Sequence, residues 1–369
     1  MTEICDFAFY DCTSLKELTI STSVTTIGQW SFQNCTSLEK VDIPSSVTFI
    51  NIGAFKNCSS LKEVSISNSV TKIERTAFSE CSSLTEIVIP NSVTEIGDYT
   101  FYGCKSLKKV TLSDSITSIS DGVFNGCSSL EKIELSPSIT SIGESSFNEC
   151  ESLTEVVLSS TSFSVIGDYA FANCKKLVKI DIPNSVIYIG GHAFISCSSL
   201  SELNLPKSLK EINSYTFTSC TSITKIVIPQ SVSCIGNNAF AQCSSLVDVE
   251  IPDSVTDVEK EAFFECSSLK NINLPNTLSK IAEKTFTKCS SLTDIVIPQS
   301  VSVIENDAFS GCSSLTKITI PSSVTKVKDN VFNDCSSVTQ VEIPDSLTSI
   351  GSGCFKGCSS LTDVNVPAN

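Results

Sequence analysis

Residues 81–101 read Cys81-Ser-Ser-Leu84-Thr-Glu-Ile87-Val-Ile89-Pro90-Asn-Ser-Val93-Thr-Glu-Ile96-Gly97-Asp-Tyr-Thr-Phe101, and at Cys104 the phrase begins again. Sixteen cysteines mark this 23-residue period, from Cys12, Cys35 and Cys58 to Cys150, then from Cys174 after one inserted residue to Cys358. A fixed period of this size marks a stacked repeat in which each unit is one coil. Residues 1–369 are therefore expected to form a single solenoid with no separate second domain.

The spacings within the phrase carry its geometry. Phenylalanine stands three residues before each cysteine, from Phe9 to Phe355, and leucine three after, relaxed only to Ile223 and Val338. Steps of three suit a turn or so of 3₁₀- or α-type helix with one face inward. Ile87 and Ile89 then alternate with Val88, which reads as a short strand. Pro90 lacks an N–H for a neighbouring strand and ends it. Val93 and Ile96 give a second inward pair, a second extended segment across the coil. Gly97 fits a corner, but Glu74, Glu259, Glu305 and Lys328 occupy the same place, so no positive φ is required there. The second residue after each cysteine is serine except at Lys176, a hydroxyl expected to satisfy a turn's backbone.

One coil has no opposing layer and cannot offset its own ordering entropy, so the coils must bury one another's faces. Like then stacks on like. Five residues after successive cysteines the chain reads Glu17, Lys40, Glu63, Glu86, Lys109, Lys132 and Glu155. The signs mostly alternate, with like neighbours at Glu63/Glu86 and Lys109/Lys132. The expectation is a solvated ladder of ion pairs along the strands. A longer period lies above this one: residues 177–245 resemble 246–314, and one outward strand position reads Val88, Val157, Val227 and Val296, every third coil.

Composition narrows function. With 25 Lys+Arg against 40 Asp+Glu, the formal charge is −15, which argues against a nucleic-acid partner. No apolar run is long enough for membrane insertion. The ladder cysteines sit at an inward position, where free thiols act as small apolar groups, and parallel side chains are poorly placed for disulfide geometry. A single histidine, His192, and no Cys-x-x-Cys pair leave no zinc set. His192 reads as a packing residue at a corner, and no phosphate loop, calcium loop or nucleophile elbow accompanies it. Catalytic residues, metal ligands and cofactors are expected to be none.

The chain opens mid-frame, with Met1 where Val93 stands in its own coil, and neither end reads as a polar cap. The expectation is a piece of a longer array, or self-association through uncapped ends.

The frame Cys-x-x-Leu-x-x-Ile-x-Ile-Pro-x-Ser-Val-x-x-Ile-Gly-x-x-Ala-Phe resembles the BspA-like, Treponema-type leucine-rich repeat over essentially the whole chain. The resemblance implies a right-handed solenoid with a parallel β-sheet on its concave face and short strands, turns and 3₁₀ or helical turns on the other side. It also implies a non-enzymatic cell-surface adhesin that binds host surface or matrix proteins, or other microbial surface proteins. The family occurs in surface proteins, which implies a cell-surface or secreted location, although no signal peptide or anchor is present and a cytoplasmic one stays open. The expected contacts are the outward side chains Val88, Val157, Val227 and Val296, with Glu134, Asp181 and Glu250 beside them. The alternatives are an intracellular protein–protein scaffold and a carbohydrate-active enzyme, the latter needing convergent carboxylates in a groove.

Overall fold

Each coil of the computed structural model, which describes residues 1–366, can carry two short strands separated by turns. The chain divides into two compact units, Met1–Val186 and Ile187–Asn369. Both are parallel β-solenoids built from the same coil.

In the first unit the longer strands include Lys40–Ile43, Glu63–Ile66, Glu86–Val88, Lys109–Thr111, Lys132–Leu135 and Glu155–Leu158. In the second they include Lys225–Val227, Asp248–Glu250, Lys317–Thr319 and Gln340–Glu342. Pairing is parallel and joins equivalent residues of adjacent coils, as in Val41 with Val64, Ile43 with Ile66 and Ile226 with Val249. Two-residue strands form the other side, where Ile73 faces Ile96 and Ile212 faces Ile235. The alternation expected from the sequence holds: Ile87 and Ile89 are each 2% exposed, whereas Val88 between them is 59% exposed.

The corner between the second strand and the next cysteine differs from expectation. Phe78, Cys81 and Leu84 all point into the core, but no helix carries them. The residue before each cysteine and the residue four before that have positive φ, as at Thr76 (φ 55°) and Glu80 (φ 60°). A right-handed helix cannot propagate through left-handed residues. Instead the corner is a run of linked turns. The N–H groups of Ser79, Cys81 and Leu84 donate three residues back within the coil, to Thr76, Phe78 and Cys81. The N–H groups of Thr76, Phe78 and Glu80 reach the carbonyls of Asp98, Thr100 and Tyr102 in the next coil. Every second N–H thus binds across coils, so the buried backbone is satisfied without a helix. Gly97 lies outside the left-handed region, as its tolerance of Glu and Lys implies. Its need is space, since a Cβ there would stand 2.4 Å from the Arg75 nitrogen.

The core is a set of ladders. Phe55 and Phe78 stack with ring centroids 5.6 Å apart and planes 6° apart, and Phe78 and Phe101 at 5.8 Å and 4°. Each burial of such a side chain contributes about 1.5–3 kcal/mol. The Cys81 thiol donates to the Phe55 carbonyl of the preceding coil at 3.3 Å, and the same carbonyl accepts the Cys58 N–H. The serine hydroxyls also differ from expectation. It is mostly the first residue after the cysteine whose hydroxyl bonds the preceding coil, as Ser82 does to the Ser59 carbonyl at 3.3 Å; Ser222 is a second-position hydroxyl that does so. The 24-residue coil after Cys150 places Phe163, 1% exposed, where other coils have Val, Ile or Leu.

Candidate functional site

The strand side of the coil exposes three rows of side chains, at the fourth, fifth and seventh residues after each cysteine. The seventh-residue row holds every contact residue expected from the sequence. In the first unit, Val88 lies opposite Thr111, and Glu134 lies opposite Val157. In the second, Val227 lies opposite Glu250. Val88, Val227 and Val296 are 59%, 51% and 76% exposed, while Val157 is half-buried.

Two of the seven residues are not on strands. Asp181 follows the short strand Lys179–Ile180, and its carboxylate lies 3.2 Å from the Lys179 ammonium. Val296 belongs to a coil whose segment 292–297 forms no strand. The cause lies one coil earlier. The Asn273 side chain takes both main-chain groups of Ile251, accepting its N–H at 3.1 Å and donating to its carbonyl at 2.7 Å. The ladder is diverted there and stops at Asn271–Ile272.

Ion pairs line the face as expected, some straight across and some diagonal. Lys132 meets Glu155 at 3.0 Å and Lys40 meets Glu63 at 3.6 Å across neighbouring coils. Lys225 reaches diagonally to Glu250, and Lys317 to Glu342, each at 2.6 Å. The Lys317 ammonium, and then the Thr319 hydroxyl, hold the Glu342 carboxyl below its ordinary range. The hydrogen bond to Glu250 raises Lys225 above its ordinary value. Both shifts favour the charged forms, so these groups serve recognition better than proton transfer.

Two shallow depressions interrupt the face. One, of about 760 Å³, is bordered by Lys108, Lys109, Leu112, Glu131 and Glu134. The other, of about 550 Å³, brings Glu250 and Val296 together with Lys225 and Lys270. Sequence reasoning missed Lys108 and Leu112. The usable signal was the run Ser113, Ser136 and Ser159 where neighbouring frames have proline.

Apart from the exposed thiols Cys5 and Cys12, the remaining reactive groups are largely built into the scaffold. Burial pushes the Cys35 thiol up to about 11 and the Cys243 thiol up to about 12, which suppresses the nucleophilic thiolate. His192 stacks flat on Tyr215, with centroids 4.6 Å apart. Among the described residues, no three His, Cys, Asp or Glu side chains are placed to hold a metal ion. Among them, too, no helix is long and apolar enough to cross a membrane.

The model of the BspA type leucine rich repeat region matches residues 1–107, 71–180, 164–293 and 279–369. A leucine-rich repeat protein from Bacteroides ovatus is 30% identical, with a TM-score of 0.57 over 98% of this chain and 81% of that one. A leucine rich cell surface protein from Faecalibacterium prausnitzii is 29% identical, with a TM-score of 0.48 over 98% and 82%. A leucine-rich repeat protein from Eubacterium ventriosum is 19% identical, with a TM-score of 0.46 over 90% and 86%. No curated protein matches.

Proposed function

The chain belongs to the BspA-type leucine-rich repeat family, and from that premise we propose that it is a cell-surface adhesin whose outward strand row grips host or microbial surface proteins. At the coarser level it is a non-enzymatic protein-interaction module. The observation that carries the finer reading is the exposed valine row. Val88 and Val157 in the first unit, and Val227 and Val296 in the second, recur every third coil, roughly 14 Å apart at the spacing of paired strands. Glu134 stands beside Val157 and Glu250 beside Val227, while Val88 stands beside Thr111 with Glu86 and Lys109 in the same pair of strands. An apolar contact ringed by polar groups is the arrangement of an interface anchor and its rim. Repeated within each unit, it supplies several modest contacts to an extended partner.

Binding of the purified chain to immobilised matrix proteins and to intact bacterial cells tests this reading. The double variant Val227→Glu/Glu250→Lys is expected to bind about tenfold more weakly with unchanged thermal stability. Unchanged binding by that variant moves the site off this face.

A further inference from the structure

In a chain of net charge −15, the coil that begins at Cys104 is locally basic, with Lys105, Lys108 and Lys109, and Lys132 follows in the next. This is where the sign alternation of the strand ladder fails with two lysines in succession, Lys109 and Lys132. Lys132 is neutralised by Glu155 at 3.0 Å. Lys109 stands opposite Glu86 in the strand register. Yet among the described residues neither Lys108 nor Lys109 has a carboxylate within ion-pair distance.

The frame breaks at the same place. Ser113, Ser136 and Ser159 replace the strand-ending proline in three successive coils. Val110 and Leu112 occupy the inward strand positions yet are half-exposed. Their counterparts in the two adjacent coils are sealed: Ile87 and Ile89 are each 2% exposed, Ile133 and Leu135 each 1%. The depression of about 760 Å³ is lined by Val110 and Leu112, with Lys108 and Lys109 at its border. Its acidic neighbours are Asp114, Glu131 and Glu134. The Asp114 carboxylate accepts from the Asn91 side-chain amide at 3.3 Å, and its N–H donates back at 3.0 Å. Glu131 and Glu134 lie one coil further on. Lys132 also borders the depression, but Glu155 neutralises it; the floor is apolar, the edge on the Cys104 coil carries two lysines against Asp114, and the edge on the Cys127 coil is negative.

We propose that this depression docks an acidic segment of a partner protein, its carboxylates meeting Lys108 and Lys109 and an adjacent aliphatic side chain covering Val110 and Leu112. The inference rests on the interaction-module reading and names the chemistry of one partner element. Charge complementarity selects the occupant: two ammonium groups without a protein counter-ion, beside uncovered core side chains, favour an acidic, apolar segment over a basic or purely polar one. Glu131 and Glu134 fix its direction by repelling acid from the far edge.

Fluorescence anisotropy with a labelled short peptide of alternating glutamate and leucine tests this on the whole chain. Saturable binding that weakens as salt is raised is expected. Lys108→Glu/Lys109→Glu should weaken it about tenfold, and Lys108→Arg/Lys109→Arg should retain it. Val227→Glu/Glu250→Lys should leave it unchanged, which separates this site from the valine-row reading. The proposal is overturned by absence of saturable binding, by equal affinity for the charge-reversal variant or for a lysine–leucine peptide, or by dodecanoate displacing the peptide with higher affinity, which would mark an acyl-carboxylate site.

Discussion

The Cys104 thiol donates to the main-chain carbonyl of Phe78, 3.3 Å away and one coil back, and that carbonyl also accepts the Cys81 N–H. Both lone pairs of a fully buried carbonyl are thereby used. Cysteine suits this position because it is small and apolar, and its S–H can bond without demanding further partners. Alanine would keep the size class but leave a small void and one lone pair unbonded. Cys104→Ala is expected to lose about 1–2 kcal/mol, read as a lowered denaturant midpoint at unchanged slope.

The ladder also sets the response to alkali. Burial, reinforced by the neighbouring thiol Cys127, raises Cys104 well above the usual thiol range, and Cys81, Cys127 and Cys266 behave alike. In the unfolded chain these thiols ionise near pH 9, whereas in the folded chain they stay protonated. The unfolded state then binds fewer protons, so stability is full below pH ~9 and falls as pH rises, by about 1.4 kcal/mol per pH unit for each such thiol. Several thiols acting together predict steep, cooperative alkaline unfolding by circular dichroism, shallower in a variant with Cys81, Cys104 and Cys127 replaced by alanine.

Thiol labelling should divide the cysteines by position rather than by number. Cys5 is exposed and Cys234 partly so, whereas Cys81 and Cys104 are sealed. Cys234 is held back further, since burial and then Glu259 and Asp257 push it up to about 11. With a water-soluble disulfide reagent at neutral pH, Cys5 and Cys12, both exposed, react first and Cys234 slowly. Cys81 and Cys104 should react only at the rate of unfolding. Rapid labelling of Cys104 in native protein contradicts the ladder.

Phe124 lies between Phe101 at 5.7 Å and Phe147 at 5.4 Å. Phe124→Ala is expected to cost about 3–5 kcal/mol. Because each coil contacts only its neighbours, the loss should localise. Hydrogen exchange should show protection falling most in the strands Lys109–Thr111 and Lys132–Leu135, with distant coils retaining theirs.

The sequence made the scaffold legible because every coil repeats the same burial problem. The inward places of Phe78, Cys81, Leu84, Ile87 and Ile89 follow from spacing alone. The corner was misread for a physical reason: a three-residue period of apolar side chains is shared by helices and by linked turns. The left-handed residues that decide between them include Thr76, Glu80 and Tyr99, which carry no conformational signature, and Asn34, Asn57, Gly103 and Gly126, which do; the mixture hides the signal within any single coil. Of the site, the valine row was visible as a three-coil periodicity. The Asn273 side chain that ends the ladder before Val296 was not, because its effect is on a main chain one coil away. The lysine doublet beside Leu112 was visible only as a lapse in charge alternation, and what it exposes depends on packing that the frame does not encode.

If the repeat frame is scaffold, binding lies on the outward strand row. The direct measurement compares binding to immobilised surface and matrix proteins for Val88→Glu/Val227→Glu with that for Thr71→Glu/Thr256→Glu, whose exposed threonines stand on the other side of the coil. All four changes are at solvent-facing positions, and each threonine gives up a hydroxyl bond to a carbonyl of the preceding coil, so the thermal midpoints should agree to within a few degrees. The valine pair should lose binding by about tenfold or more while the threonine pair keeps it. Loss in the threonine pair with retention in the valine pair would contradict this placement.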